Sequence, residues 1–131
     1  MIEVKNLVKY FGGSEAVNDV SFHVAKGKTM VLLGPSGCGK TTTLRMINAL
    51  ETPDSGDVLI EGQSVNSQQG ESLRRSIGYV LQHHGLFPHY TVAENVEIVP
   101  NLLKWEKDRI QQRSMALFKQ LNLDPALKSK Y

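Results

Sequence analysis

A chain of 131 residues with 15 Lys and Arg against 13 Asp and Glu is long enough for one domain with a buried core, and its net charge of +2 is too small to argue for a nucleic-acid partner. The basic residues are scattered, as on solvated helix faces. A single cysteine excludes an intrachain disulfide and fits a reducing compartment. Met1-Ile2-Glu3-Val4-Lys5-Asn6 has no apolar signal region, and no apolar run approaches transmembrane length. The expectation is a cytoplasmic chain, without direct membrane insertion, whose link to a membrane comes through a partner.

From Ile2 to Val8 apolar residues alternate with charges, Ile2 and Val4 against Glu3 and Lys5, which predicts a half-exposed strand. Tyr10 and Phe11 at its end read as ordinary core or turn filling. Gly12-Gly13-Ser14 is a turn, and the alternation resumes from Ala16 to Ala25 through Val20, Phe22 and Val24. An antiparallel pair is therefore expected ahead of the next element and packed beside it.

That element is Gly34-Pro35-Ser36-Gly37-Cys38-Gly39-Lys40-Thr41, the spacing G-x-x-x-x-G-K-[ST] of a phosphate-binding loop. Its glycines let successive backbone N–H groups turn inward into an anion-binding nest, and the following helix aims its positive end at the same point. Lys40 would reach the β- and γ-phosphates and Thr41 would hold Mg²⁺. The flanks agree: Thr29-Met30-Val31-Leu32-Leu33 reads as a buried strand, and Leu44, Ile47 and Leu50 fall at helical spacing. The loop is read as binding a nucleoside triphosphate. Cys38 reads as a filler position, since no base is placed to activate it.

Glu51 to Asp57 is turn chemistry throughout, Val58-Leu59-Ile60 a short strand, and Glu61-Gly62-Gln63 another turn. Ser64 to Gly70 is loop-like, and Glu71 to Arg75 a short helix. Ile77-Gly78-Tyr79-Val80-Leu81 is a second apolar run of the buried-strand type. Gln82 ends it, either as a contact to the γ-phosphate or its metal or as a plain polar strand end. His83-His84-Gly85-Leu86-Phe87-Pro88-His89-Tyr90 holds three of the four histidines, but its spacing matches no zinc pattern; a surface or interface loop is expected. Thr91-Val92-Ala93-Glu94 is a capping box that starts a helix at Val92, ended by Pro100. Lys104 to Gln120 is a further helix with Ile110, Leu117 and Leu121 on one side, and Asp124-Pro125 stops it.

Four stretches in this order, Lys9-Tyr10-Phe11-Gly12, Gly34 through Thr42, Ile77 through Gln82 and Leu86 through Val96, resemble the nucleotide-binding subunit of ABC transporters along the whole chain. Only the first half or so of that domain is represented. The resemblance implies an α/β fold: a P-loop NTPase core with an antiparallel β subdomain over residues 1–85, and the beginning of a helical subdomain over 86–131. It implies that Phe11, with Tyr10 as runner-up, stacks on the adenine of ATP. Gly34, Pro35, Ser36, Gly37, Cys38, Gly39, Lys40, Thr41 and Thr42 would wrap the phosphates, and Thr41 and Gln82 would contact Mg²⁺. Gln82 would also contact the attacking water and begin the loop that senses the transmembrane permease subunit; Leu86 and Phe87 fit that contact. A second ATP-binding subunit would complete a homodimer, on the inner face of the cell membrane.

Phe87-Pro88-His89-Tyr90, Val96 through Pro100 and Trp105 look most like importers of glycine betaine, choline and related osmoprotectants. The family's Leu-Ser-Gly-Gly-Gln signature, its apolar strand ending in Asp-Glu and its switch histidine do not occur in these residues. They would be expected beyond Tyr131, so the chain reads as an N-terminal part, inactive in hydrolysis by itself. Two other classes stay open: a small nucleotide kinase, which would need an arginine-rich acceptor or lid region, and a nucleotide-binding module without catalysis.

Overall fold

The computed structural model describes residues 1–67, 70–82 and 85–130, which form two compact units, Met1–Gly78 and Tyr79–Tyr131. In the first, β1 (Ile2–Phe11), β2 (Ser14–Val24), β3 (Ser55–Ile60) and β4 (Gln63–Ser64) make an antiparallel sheet in the order β2-β1-β3-β4. The expected hairpin is present, with Gly12 and Gly13 as its turn. Its alternation breaks in the middle. Val4 pairs with Phe22 and Leu7 with Val20, with a register shift between them. Asn6 and Asp19 take φ values of 44° and 46°, which Asn and Asp tolerate better than other non-glycine residues, and the Asn6 amide donates to Asp19 Oδ1 at 2.8 Å. The bulge turns Val4 and Leu7, three residues apart, into the same core. Val17, Val58, Val65 and Leu73 join them, together with Met46 from α1 (Lys40–Ile47).

Three expectations about the helices and strands need correction. The inward face of α1 carries Thr43 and Met46, while Leu44 and Leu50 are close to half exposed; the helix ends at Ile47, and its rotation is set at its start, where Gly39 lies against β2. Second, β3 begins at Ser55, inside the segment read as turn. Third, Thr29–Leu33 and Ile77–Leu81 are not ladder strands. Val31 is 69% exposed and Val80 93%. An apolar run signals a need for burial but does not name its hydrogen-bonding neighbour, and among the described residues neither run has one. Met30 and Leu32 instead line an apolar cleft of about 280 Å³ with Ile2, Phe22, Leu44 and Ile47. The short helix read over Glu71 to Arg75 is α2 (Gly70–Ser76), with Leu73 buried.

The second unit holds α3 (Val92–Leu102), α4 (Lys107–Gln120) and a 3₁₀ turn over Pro125–Ser129. Pro100 lies inside α3 instead of ending it. It sits in the last turn, and the amides that follow find partners: Leu103 on Val99 O, Lys104 on Asn101 O, Trp105 on Pro100 O. Lys104, at φ 54°, breaks the path, so α4 starts three residues later than expected. Its buried stripe is Ile110, Ser114 and Phe118, spaced by four, while Leu121 is 65% exposed. A polar residue at the middle of the stripe hid it from hydrophobic periodicity. Asp124 caps the 3₁₀ turn, its carboxylate accepting from Ala126 N at 2.8 Å.

The capping box is complete. Thr91 Oγ1 accepts from Glu94 N at 3.2 Å, and the Glu94 carboxylate accepts from Thr91 N at 2.7 Å and Thr91 Oγ1 at 2.8 Å. The Thr91 backbone N–H, then its hydroxyl, favour the charged form and hold the Glu94 carboxyl below the usual carboxylate range. The unfolded chain therefore binds the proton first. The contribution to stability is fully present above the ordinary carboxylate range and is lost as pH falls through the lower folded value. Thermal unfolding of wild type and Glu94→Gln should show a gap at neutral pH that closes on acidification; a gap independent of pH would remove the carboxylate charge from the account. Thr91→Ala should cost about 1 kcal/mol in denaturant unfolding at neutral pH.

Candidate functional site

The extended segment 29–33 leads into the glycine-rich loop, which folds back through a turn in which Cys38 N donates to Pro35 O at 3.4 Å. Lys40 opens α1, and its cap residue Gly39 offers no side-chain acceptor. The first N–H groups of α1 thus lack a side-chain partner at the positive end of the helix dipole. The Lys40 ammonium arches back over the loop, donating to Gly34 O at 2.8 Å and Pro35 O at 2.7 Å, with Cys38 Sγ at 3.4 Å. The loop is thereby closed by its own cation. Ser36 and Gly37 are exposed at its tip. The Thr41 hydroxyl makes no hydrogen bond among the described residues, whereas Thr43 Oγ1 donates to Gly39 O at 3.0 Å and holds the loop's exit.

The loop is docked on the hairpin through Gly39. At φ 89° its backbone is left-handed, and a Cβ there would lie 2.3 Å from Ala16 O and 3.1 Å from Val17 Cγ2. Val17 is the direct partner of Lys9 across β1 and β2, so Lys9 shares the face that meets the loop. Phe11, two residues on, lies on that face too, with Lys9 Nζ 5.3 Å from its ring centroid. Tyr10 points the other way, its hydroxyl 3.4 Å from Glu15 Oε2. Phe11 and Tyr10 are 48% and 46% exposed, so of the reading as core or turn filling the core half is excluded.

Lys9 is the residue that sequence reasoning passed over. Its ammonium donates to Thr52 O at 2.7 Å and pairs with Glu51 at 3.0 Å and Asp54 at 3.5 Å. Asp54 Oδ2 also accepts from Tyr10 N at 2.6 Å. The hydrogen bond to Glu51 lifts the Lys9 pKa above the ordinary lysine value, against the opposing effect of burial. No periodicity could have announced this cluster, because its members are more than forty residues apart in sequence.

In the other unit Gln82 and Leu86 are exposed, and His83 and His84 fall outside the described residues. The rest of that loop is organised by Asn95, another residue the motif reading did not single out. Its side chain accepts from Phe87 N at 2.8 Å and donates to Phe87 O, Tyr90 O and Thr91 O at 3.0–3.1 Å. Phe87, His89 and Tyr90 stack in mutual edge and tilted contacts, with centroids 4.6–5.9 Å apart. Phe87, Tyr90, Ile98 and Leu102 then line an open groove of about 490 Å³.

Residues 17–131 match the ABC transporter family. The chain belongs to that family. The choline transport ATP-binding protein OpuBA of Bacillus subtilis is 44% identical to this ABC chain over its whole length, and the osmoprotectant import ATP-binding protein OsmV of Salmonella typhimurium is 48% identical over 95% of it. The ABC chain spans about a third of those relatives, 35% and 34%. Among solved structures, the ATP-binding cassette MJ0796 in a dimeric post-hydrolysis state with ADP and Pi superposes with a TM-score of 0.82 at 28% identity, over 98% of the ABC chain and 60% of that cassette. CbiO1 of Clostridium perfringens gives 0.85 at 26%, over 98% and 53%. The α/β fold with its P-loop NTPase core is the fold of these cassettes. Among the described residues of the ABC chain no helix is long and apolar enough to cross a membrane.

The docking of the loop makes a specific prediction. Gly39→Ala meets a backbone carbonyl that has nowhere to retreat, whereas Gly37, at φ 82°, has nothing within 4 Å of its Cβ position. Gly37→Ala should cost about 1 kcal/mol of left-handed strain, and Gly39→Ala at least about 2 kcal/mol more, because strain and overlap add. Urea unfolding of both variants measures the difference; equal costs would mean that the loop does not rest on the hairpin.

Proposed function

We propose that the chain binds ATP with Mg²⁺ and forms the nucleotide-binding part of an ABC transport ATPase. The observation that carries this is the closed glycine loop, with the Lys40 ammonium over it and an uncapped helix N-terminus behind it. Phosphate oxygens are stronger acceptors for Lys40 than the two carbonyls it now contacts. Gly34, Pro35, Ser36, Gly37, Cys38, Gly39, Lys40, Thr41 and Thr42 wrap the phosphates. The donor types fit a hard cation, a hydroxyl from Thr41 and an amide oxygen from Gln82, which would hold Mg²⁺; the Thr41 hydroxyl makes no hydrogen bond among the described residues. When bound, Mg²⁺ supplies charge compensation between the β- and γ-phosphates. Phe11 stacks on adenine, favoured over Tyr10 by the face it occupies. On this reading residues 1–85 are the nucleotide-binding core and 86–131 the beginning of a helical subdomain.

In the whole protein, ATP binding and hydrolysis drive solute uptake. The loop after Gln82, with exposed Leu86 and Phe87, meets the transmembrane permease subunit, and a second ATP-binding subunit completes the pair, peripheral on the inner membrane face. Relatives named for choline, glycine betaine and osmoprotectant import, at 43–48% identity, favour quaternary-amine uptake.

Calorimetry with Mg·ATP should show that Lys40→Ala loses roughly 2–4 kcal/mol of binding; equal affinities would sink the assignment. Bulky maleimide modification of Cys38, whose sulfur sits beneath Lys40, should block ATP binding, and bound ATP should slow the modification. The strand ending in Asp-Glu that would supply the general base does not occur in the 131 residues, so they should release phosphate at least ~10³-fold more slowly than a whole relative of the family. Comparable turnover would show that the base lies within them.

A further inference from the structure

We infer that Lys9 is a positioning residue for the base-stacking ring of Phe11, locked in place by the turn that carries Glu51, Thr52 and Asp54. The inference rests on the reading of Phe11 as the adenine-stacking side chain. Phe11 is the last residue of β1 and nearly half exposed, and an aromatic ring at a strand end has rotamer freedom that a stacking platform must lose. Among its contacts, the ammonium of Lys9 lies 5.3 Å from the centroid, close enough for attraction between a cation and the ring face.

Lys9 itself is held unusually well for a surface lysine. Its side chain is 12% exposed, and a carbonyl and two carboxylates converge on its Nζ: Thr52 O, Glu51 and Asp54. These acceptors belong to the segment just before β3, which pairs with β1 on the edge away from β2. Asp54 grips the same strand end a second time through Tyr10 N. The turn therefore fixes both the backbone entering Phe11 and the cation beside its ring. A lysine needed only to neutralise two surface carboxylates has no reason to hold its ammonium over an aromatic ring as well. The arrangement predicts that removing the cation loosens the ring and weakens binding of the base, while the phosphate loop is unaffected.

The test compares Mg·ATP with inorganic tripolyphosphate, which offers the phosphates without a base, in the 131-residue chain. Lys9→Met should weaken ATP about two- to fivefold and leave tripolyphosphate unchanged; Lys9→Arg should restore ATP binding; and Lys9→Met should add nothing in a Phe11→Ala background. Glu51→Gln, which loosens the lysine without deleting it, should show a smaller loss of the same selectivity and serves if Lys9→Met unfolds. Equal losses for both ligands, no loss for ATP, or additivity with Phe11→Ala would overturn the positioning role. If Phe11→Ala itself leaves ATP affinity untouched, the adenine reading has failed, and the positioning role goes with it.

Discussion

The contact on which the first unit depends is that between the backbone of Gly39 and the carbonyl of Ala16. A phosphate-binding loop has little apolar surface, so hydrophobic burial cannot hold it in place. It is held because one glycine, in a left-handed conformation, lets the start of α1 press directly onto β2. That contact fixes the rotation of α1, which decides that Met46 and not Leu44 enters the core. It also places the loop beside the hairpin end that carries Phe11 and Lys9. The hairpin end and the glycine-rich loop are thus joined through a single close approach of backbone to backbone.

Electrostatics at the loop follow the same logic of short-range constraint. Lys40 bonds to carbonyls five and six residues before it, and so closes the loop with its own charge. Lys9 does the reverse at the other end of the face: its charge is compensated by Glu51 and Asp54, and the Phe11 ring lies beside it. The two lysines differ because the acceptors of one are neutral carbonyls while the other is paired with carboxylates.

The start of α3 is organised by polar contacts, since α3 has no fully buried residue. Thr91 and Glu94 satisfy the first donors of α3, and Asn95 ties the aromatic loop before it to the same helix end. The loop presents Leu86 and Phe87 outward because its backbone is already bonded to Asn95. Such a loop keeps its shape by backbone hydrogen bonds to one side chain while its apolar side chains stay exposed.

What the sequence alone determined is what depends on neighbours in the chain. The G-x-x-x-x-G-K-[ST] spacing, the Thr91 to Glu94 capping box, the Gly12-Gly13 turn and the short α2 are all settled within a few residues, and each appears where its chemistry put it. The family, too, was legible from four short stretches in order. Tertiary structure decided whatever depends on a distant partner. The bulge at Asn6 and Asp19 sets which β1 residues are core; Gly39 against Ala16 sets the face of α1; Ser114 lies in the buried stripe of α4 against the rule of hydrophobic periodicity. The runs around Val31 and Val80 read as strands because their composition is that of buried strands, yet a strand exists only where another backbone accepts and donates its hydrogen bonds. The Lys9 cluster joins residues more than forty positions apart, and no local pattern can encode a meeting that only the folded sheet brings about.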